Sequence, residues 1–258
     1  MSATVLKLRR AALRGFVAVA WAVPALAQAP PEARALRFDA RLLPAGAVLG
    51  ATAAVAVAPI LLAGHLPHTT CAPCDPASLP PIDRGTVGAV RPGWGTLSNV
   101  TEIAVLGGAG LLLAREAHGD WGVAREDLTV FAQAIGTATL VDNWIKVLVA
   151  RPRPARYLPS AAGTSTSAAT GLSFPSGHTT GAMAAAFAYW SIQSRRGMAG
   201  ARSRGVVALI SAAAVVGVLR VVAREHFPTD VMAGALLGAV VGWEVPQHYP
   251  VQRSPSPP

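Results

Sequence analysis

Apolar residues in this chain gather into long runs, not into the alternation of a half-buried strand. The runs are Leu42 to Gly64, Ile103 to Ala114, Leu128 to Ala150, Thr179 to Ser191, Gly205 to Val222 and Val231 to Val245. All are rich in Ala, Gly, Val and Leu, and their lengths suit helices better than strands. Several are shorter than the ~20 residues that cross a hydrocarbon layer unaided, so their ends must extend into polar flanks. The pattern predicts an all-α, six-helix membrane-embedded bundle over residues 42–245, with no internal repeat. Between the runs, Pro67 to Gly95 and Arg151 to Phe174 are rich in Pro, Gly, Ser and Thr and read as loops; the latter holds the low-complexity stretch SAAGTSTSAATG, expected to be mobile. Residues 246–258, ending RSPSPP, read as a disordered tail.

Composition supports the membrane reading. The chain has 258 residues, of which 52% are hydrophobic and 14% charged, with a mean hydropathy of +0.42; soluble domains carry about 25% charged residues. The net charge of +9 rests on arginine, since Lys7 and Lys146 are the only lysines. These arginines are scattered between apolar runs with no basic-aromatic surface, which excludes nucleic-acid binding. Residues 1–41 hold a basic stretch, a short apolar run and Ala25-Leu26-Ala27. They read as a bacterial-type signal peptide cleaved near Gln28, or as an uncleaved anchor, followed by a linker. The loop Arg195 to Arg204, RRGMAGARSR, carries four arginines and no acid and reads as cytoplasmic. Counting outward from it puts the ends near Lys146, Ser176 and His226 on the periplasmic face of an inner membrane, together with Cys71 and Cys74. The same count puts the residues before Leu42 in the cytoplasm, which conflicts with a cleaved signal peptide if the run from Leu42 spans.

The charges inside or beside the runs carry the chemistry. Charged side chains at bilayer depth cost roughly 3 kcal/mol each and usually mark function. Three motifs stand at run ends: KVLVARPRP, with Lys146 and Arg153-Pro154; Pro175-Ser176-Gly177-His178; and RVVAREHFPTD, with Arg220, His226 and Asp230. In this order they make the chain resemble the type 2 phosphatidic acid phosphatase superfamily over Leu42 to Val245. That group includes membrane lipid-phosphate phosphatases, soluble class A acid phosphatases and vanadium haloperoxidases. One departure is Leu219, where the family usually has Ser. The repeated Arg-Pro offers two frames; family spacing selects Arg153 and leaves Arg151 an auxiliary.

The residues argue the same chemistry. A phosphate ester is anionic, so attack on phosphorus needs that charge neutralised. Lys146, Arg153 and Arg220 would surround the nonbridging oxygens, with the amides of Ser176 and Gly177 and the Ser176 hydroxyl completing the cradle. Gly177 lets the anion approach a helix N-terminus. His226 would attack phosphorus, with Asp230 accepting its other ring N–H to fix the tautomer. His178 would protonate the leaving alkoxide and then activate water against a phosphohistidine. The resemblance assigns the same roles to the matching positions and implies no cofactor or metal.

Other readings compete. His226 and Asp230 have the spacing of a metal pair, against which the three nearby cations stand. Cys71 and Cys74 suit a disulfide in an oxidising compartment, or a zinc site with His65 and His68. His118 and His248 read as solvated, and Asp142 as the i,i+4 partner of Lys146. The expected activity is hydrolysis of a lipid phosphomonoester or pyrophosphate. The alternatives are a soluble periplasmic acid phosphatase, a vanadate-dependent haloperoxidase and a catalytically silent lipid-binding membrane protein.

Overall fold

The computed structural model describes residues 36–39, 42–62, 71–161, 171–198 and 203–253. The candidate signal peptide, His65, His68 and most of the low-complexity stretch lie outside the described residues. Among the described residues there are seven α-helices: α1 (Leu42–Leu61), α2 (Pro81–Arg84), α3 (Pro92–Glu116), α4 (Trp121–Val149), α5 (Gly177–Arg195), α6 (Ser203–Val222) and α7 (Pro228–Gln247). Apart from the single turn α2, these correspond to the six apolar runs, most of them lengthened into their polar flanks. Pro92 opens α3 at a position where its missing N–H costs nothing. Asp120 opens α4 by accepting from the Val123 amide at 3.1 Å. Ala150 ends α4 in the left-handed region, with φ 50°, just before Arg151-Pro152.

The long helices run alternately up and down, with α5 at the centre against α3, α4, α6 and α7, and α1 laid on α4. The core is small-residue rich: Ala109, Ala134, Ala182, Ala185, Ala186 and Ala213 pack with Leu113, Val130, Tyr189 and Ile192. The closest packing joins α5 and α7. Gly234, Gly238 and Gly242 form one stripe of α7, and a Cβ on them would lie 2.7, 2.3 and 2.4 Å from the carbonyl oxygens of Ser176, Thr180 and Ala184. Only glycine permits that approach. The opposite stripe of α7, Met232, Leu236 and Val240, is apolar and exposed.

A small ribbon corrects one expectation. Leu36–Phe38 (β1) pairs antiparallel with Val251–Arg253 (β2), Phe38 opposite Val251. The stretch 246–258 is therefore not disordered throughout: α7 continues to Gln247 and residues 251–253 form a strand. The reason is packing, since Phe38 is buried in the core cluster with Val251 against it.

The ribbon, the α3–α4 turn and the end of α5 gather at one end of the bundle. There Arg37 pairs with Glu126 at 2.8 Å, Arg195 donates to the Tyr249 carbonyl at 2.8 Å, and buried Arg196 pairs with Asp127 at 2.6 Å. Glu116 accepts from the Tyr189 hydroxyl at 2.8 Å and from the Gln193 amide. The three motifs lie at the other end. So does a disulfide between Cys71 and Cys74, with Cα atoms 4.9 Å apart, packed with Leu79, Tyr157 and Phe227.

The glycine stripe yields a test. Gly238→Ala forces a methyl against the α5 backbone, so it should destabilise the protein by about 1–3 kcal/mol, the usual range for overpacking. Gly107→Ala, where nothing lies within 4 Å of the added carbon, should be neutral or slightly stabilising. Thermal unfolding of both variants in detergent checks the difference.

Candidate active site

The motifs are tied to one another by hydrogen bonds, most of them to the backbone. Lys146, in the last turn of α4, donates to the Pro175 carbonyl at 2.7 Å, joining the first motif to the second. The Ser176 amide donates to the Asp230 carbonyl at 3.1 Å, joining the second to the third. Arg151 and Ser173 close the set, with the Ser173 amide on the Arg151 carbonyl at 2.8 Å. Lys146 also pairs with Asp142 at 2.9 Å, the expected i,i+4 partner, and Asp142 in turn accepts from the Thr180 hydroxyl at 2.9 Å.

His226 lies in the short connection between α6 and α7 and is buried. Its Nδ1 stands 2.7 Å from the Ser173 carbonyl oxygen and 3.7 Å from Asp230 Oδ2. A carbonyl only accepts, so Nδ1 carries the proton and Nε2 keeps its lone pair. The tautomer is thus set by Ser173, not by Asp230 as expected. Asp230 is drawn elsewhere: at the third position of α7 it accepts from the Phe227 amide at 2.8 Å and from Arg151 Nη1 at 2.6 Å. Free amides in the first turn of a helix attract a carboxylate.

Burial pushes the His226 imidazole well below its ordinary pKa. Arg153, Arg220 and Lys146 push the same way, and the bond to Ser173 opposes them. The ring is therefore neutral at neutral pH. The same three cations act electrostatically on His178, whose Nε2 lies 3.5 Å from Glu102 Oε2. Arg153 and Arg220 meet at Glu225: its Oε2 accepts from Arg153 Nη1 at 3.1 Å and from Arg220 Nη2. Arg220 is further held by the Asn99 side-chain oxygen at 3.2 Å.

Two second-motif expectations are revised. Ser176 occupies the N-cap position of α5, but its hydroxyl makes no capping bond and instead meets the Thr179 hydroxyl at 3.0 Å. Its amide serves Asp230, so the Gly177 amide remains the backbone donor of the proposed cradle. A Cβ on Gly177 would lie 3.2 Å from Asp142 Oδ2 and 3.7 Å from Lys146 Nζ, which places this glycine beside the first-motif cation. Leu219 is buried, and His118 and His248 are exposed, as expected.

Sequence reasoning missed Ser173, Glu225, Glu102 and Asp83. Asp83, fully buried, accepts from Arg151 Nη2 at 2.7 Å and from the Thr229 hydroxyl at 2.6 Å, so Arg151 spans two buried carboxylates. It also lies over the Phe227 ring, 4.3 Å from its centroid. Glu102 carried a legible signal, a charge inside a helix of membrane length, hidden because the apolar run was started at Ile103. Asp83 carried none: its partners are distant in sequence.

Residues 127–253, which hold all three motifs, match the family model described as the PAP2 superfamily. This stretch is similar to that superfamily. Among solved structures, a transmembrane PAP2-type phosphatidylglycerolphosphate phosphatase from Bacillus subtilis is similar at 18% identity, covering 78% of this chain and 93% of that one, with a TM-score of 0.43. No curated protein matches the chain.

Two measurements test this geometry. In histidine-selective ¹⁵N NMR, His226 should remain the neutral Nδ1–H tautomer as the pH is lowered through 6.5; an imidazolium signal already dominant at that pH contradicts the assignment. Arg151→Ala should lower stability by about 3–5 kcal/mol, because it strands two buried carboxylates. Arg151→Lys should recover only part, since one ammonium cannot reproduce the guanidinium fork; thermal unfolding reads both.

Proposed function

We propose that the chain is a metal-independent phosphatase of lipid phosphomonoesters or pyrophosphates, working through a phosphohistidine. The observation that carries this is the neutral, buried His226, with its free Nε2 in the field of Lys146, Arg153 and Arg220. The cations neutralise the incoming phosphate and the charge that develops on its equatorial oxygens. Nε2 attacks phosphorus; the proton stays on Nδ1, donated to the Ser173 carbonyl, and Asp230, 3.7 Å away, stabilises the resulting imidazolium through space. His178 gives its proton to the leaving oxygen and then takes one from water, which cleaves the phosphorus–nitrogen bond and frees inorganic phosphate. The metal reading of His226 and Asp230 is disfavoured because both Asp230 oxygens are engaged, by the Phe227 amide and by Arg151.

The outer surface supports a lipid substrate. By length and composition, Pro92–Glu116 and Ser203–Val222 are apolar enough to cross a membrane. The outward face of α6 shows Val207, Val215 and Val218, and that of α7 shows Met232, Leu236 and Val240. A soluble helix would carry a polar stripe there. We place the bundle in a bacterial inner membrane, with the site at the periplasmic end beside the disulfide and the arginine-rich loop in the cytoplasm. The headgroup chemistry is shared by phosphatidic acid, phosphatidylglycerol phosphate, polyprenyl pyrophosphate and lipid A phosphate.

Phosphate release from a panel of these lipids in detergent with EDTA tests the reading. Turnover should survive chelation and be inhibited by vanadate; activity lost to EDTA and restored by zinc or magnesium overturns it. His226→Ala should lose activity by on the order of 10³-fold or more. His178→Ala should lose about 10²- to 10⁴-fold while accumulating acid-labile phosphate on the protein when the leaving group is good. Recovery of the protein in osmotic-shock fluid, not in the membrane pellet, overturns the membrane placement in favour of a soluble acid phosphatase.

A further inference from the structure

Glu225 sits where the proposed cradle should hold phosphate. Its Oε2 is shared by Arg153 Nη1, at 3.1 Å, and Arg220 Nη2, the two guanidiniums assigned to the phosphate oxygens. Glu225 is pressed into this place from the other side by α3: a Cβ on Gly95 would lie 2.4 Å from Glu225 Oε1. Arg220 is buried and oriented independently by Asn99 at 3.2 Å, so the carboxylate is not its only anchor. A carboxylate and a phosphate offer a guanidinium the same kind of paired oxygen acceptors. An anion that uses both arginines must take N–H groups that Glu225 now holds.

Resting on the phosphatase reading, we propose that Glu225 is an internal competing anion that sets the affinity and the charge selectivity of the cradle. A phosphomonoester dianion displaces the carboxylate from Arg153 and Arg220, because two negative charges outweigh one against the same pair of cations. A phosphodiester or carboxylate monoanion has no such advantage and is rejected by like-charge repulsion, which is how an interface selects against a wrong partner. After the reaction the carboxylate returns to the arginines and lowers the affinity for the inorganic phosphate product.

The test is calorimetric titration of the full chain in detergent with inorganic phosphate and with dimethyl phosphate, for wild type, Glu225→Gln and Glu225→Ala. Glu225→Gln keeps the shape and removes the charge; it should bind phosphate about tenfold more tightly or better, and should gain measurable binding of dimethyl phosphate. Glu225→Ala should shift in the same direction and serves if the glutamine variant misfolds. Equal or weaker phosphate binding in both variants overturns the proposal and makes Glu225 an aligner of the two arginines. Absence of phosphate binding in all three proteins overturns it as well. Binding is read without turnover: a wild type that binds phosphate yet releases none from any lipid sinks the phosphatase reading, and the comparison among variants still decides this one.

Discussion

The close approach of α7 to α5 is the constraint on which the site depends. Gly234, Gly238 and Gly242 let the α7 backbone lie against the carbonyls of Ser176, Thr180 and Ala184. At that distance the Ser176 amide reaches the Asp230 carbonyl. The start of α5 carries the second motif and the start of α7 ends the third. A bulkier residue at Gly234 would push against Ser176 itself, separating the two motifs before disturbing any side chain of the proposed chemistry. His226 depends on the same seam from the other direction, because its Nδ1 partner, the Ser173 carbonyl, belongs to the chain leading into α5.

Within that frame, each cation of the site is held by an acceptor that is not the expected substrate. Lys146 has Asp142 and the Pro175 carbonyl, Arg220 has Asn99 and Glu225, and Arg151 has Asp83 and Asp230. Holding charges in fixed places beforehand means that little reorganisation accompanies the approach of an anion, which is the physical basis of electrostatic catalysis. The carboxylates also moderate mutual repulsion among cations in a region of low dielectric. Arg151 differs from the others: its guanidinium is fully engaged by Asp83, Thr229 and Asp230. It therefore acts on the proposed chemistry through the position of Asp230.

The helices and the three motif positions were legible because their signals are local. Apolar runs report helices directly, and Lys146, Arg153, Ser176, His178, Arg220, His226 and Asp230 sit at fixed spacings near run ends. Contacts between distant segments were not legible. Asp230 was expected to orient His226 from its i,i+4 spacing, yet a helix-start amide and Arg151 compete for it and a carbonyl takes the imidazole. Arg151 was passed over as the spare member of a repeated Arg-Pro, although its partner Asp83 comes from the Pro-rich segment before α3. Glu225 was visible beside His226, but nothing in RVVAREHFPTD says that its side chain turns back onto Arg153 and Arg220. The β1–β2 ribbon joins the two ends of the described chain, and three-residue strands leave too little pattern to read.

The glycine stripe and the outward stripe of α7 express one logic on opposite faces. Inward, small residues allow backbone contact, the way helices associate where apolar burial offers no net gain over the surroundings. Outward, Met232, Leu236 and Val240 offer no polar atom to water. The polar groups collect at the ends. At the end away from the site, Arg196 and Asp127 satisfy each other, as do Glu116, Tyr189 and Gln193, inside the bundle. At the other, His178, Arg153, Lys146 and Glu225 keep partial exposure. A site for a water-soluble headgroup on an apolar tail needs this division. On the proposed reading, the phosphate would meet cations and water at the rim of the bundle while the tail stays beside the apolar flank, and the alternating helices put that rim at the end where α4, α5 and α7 exchange hydrogen bonds.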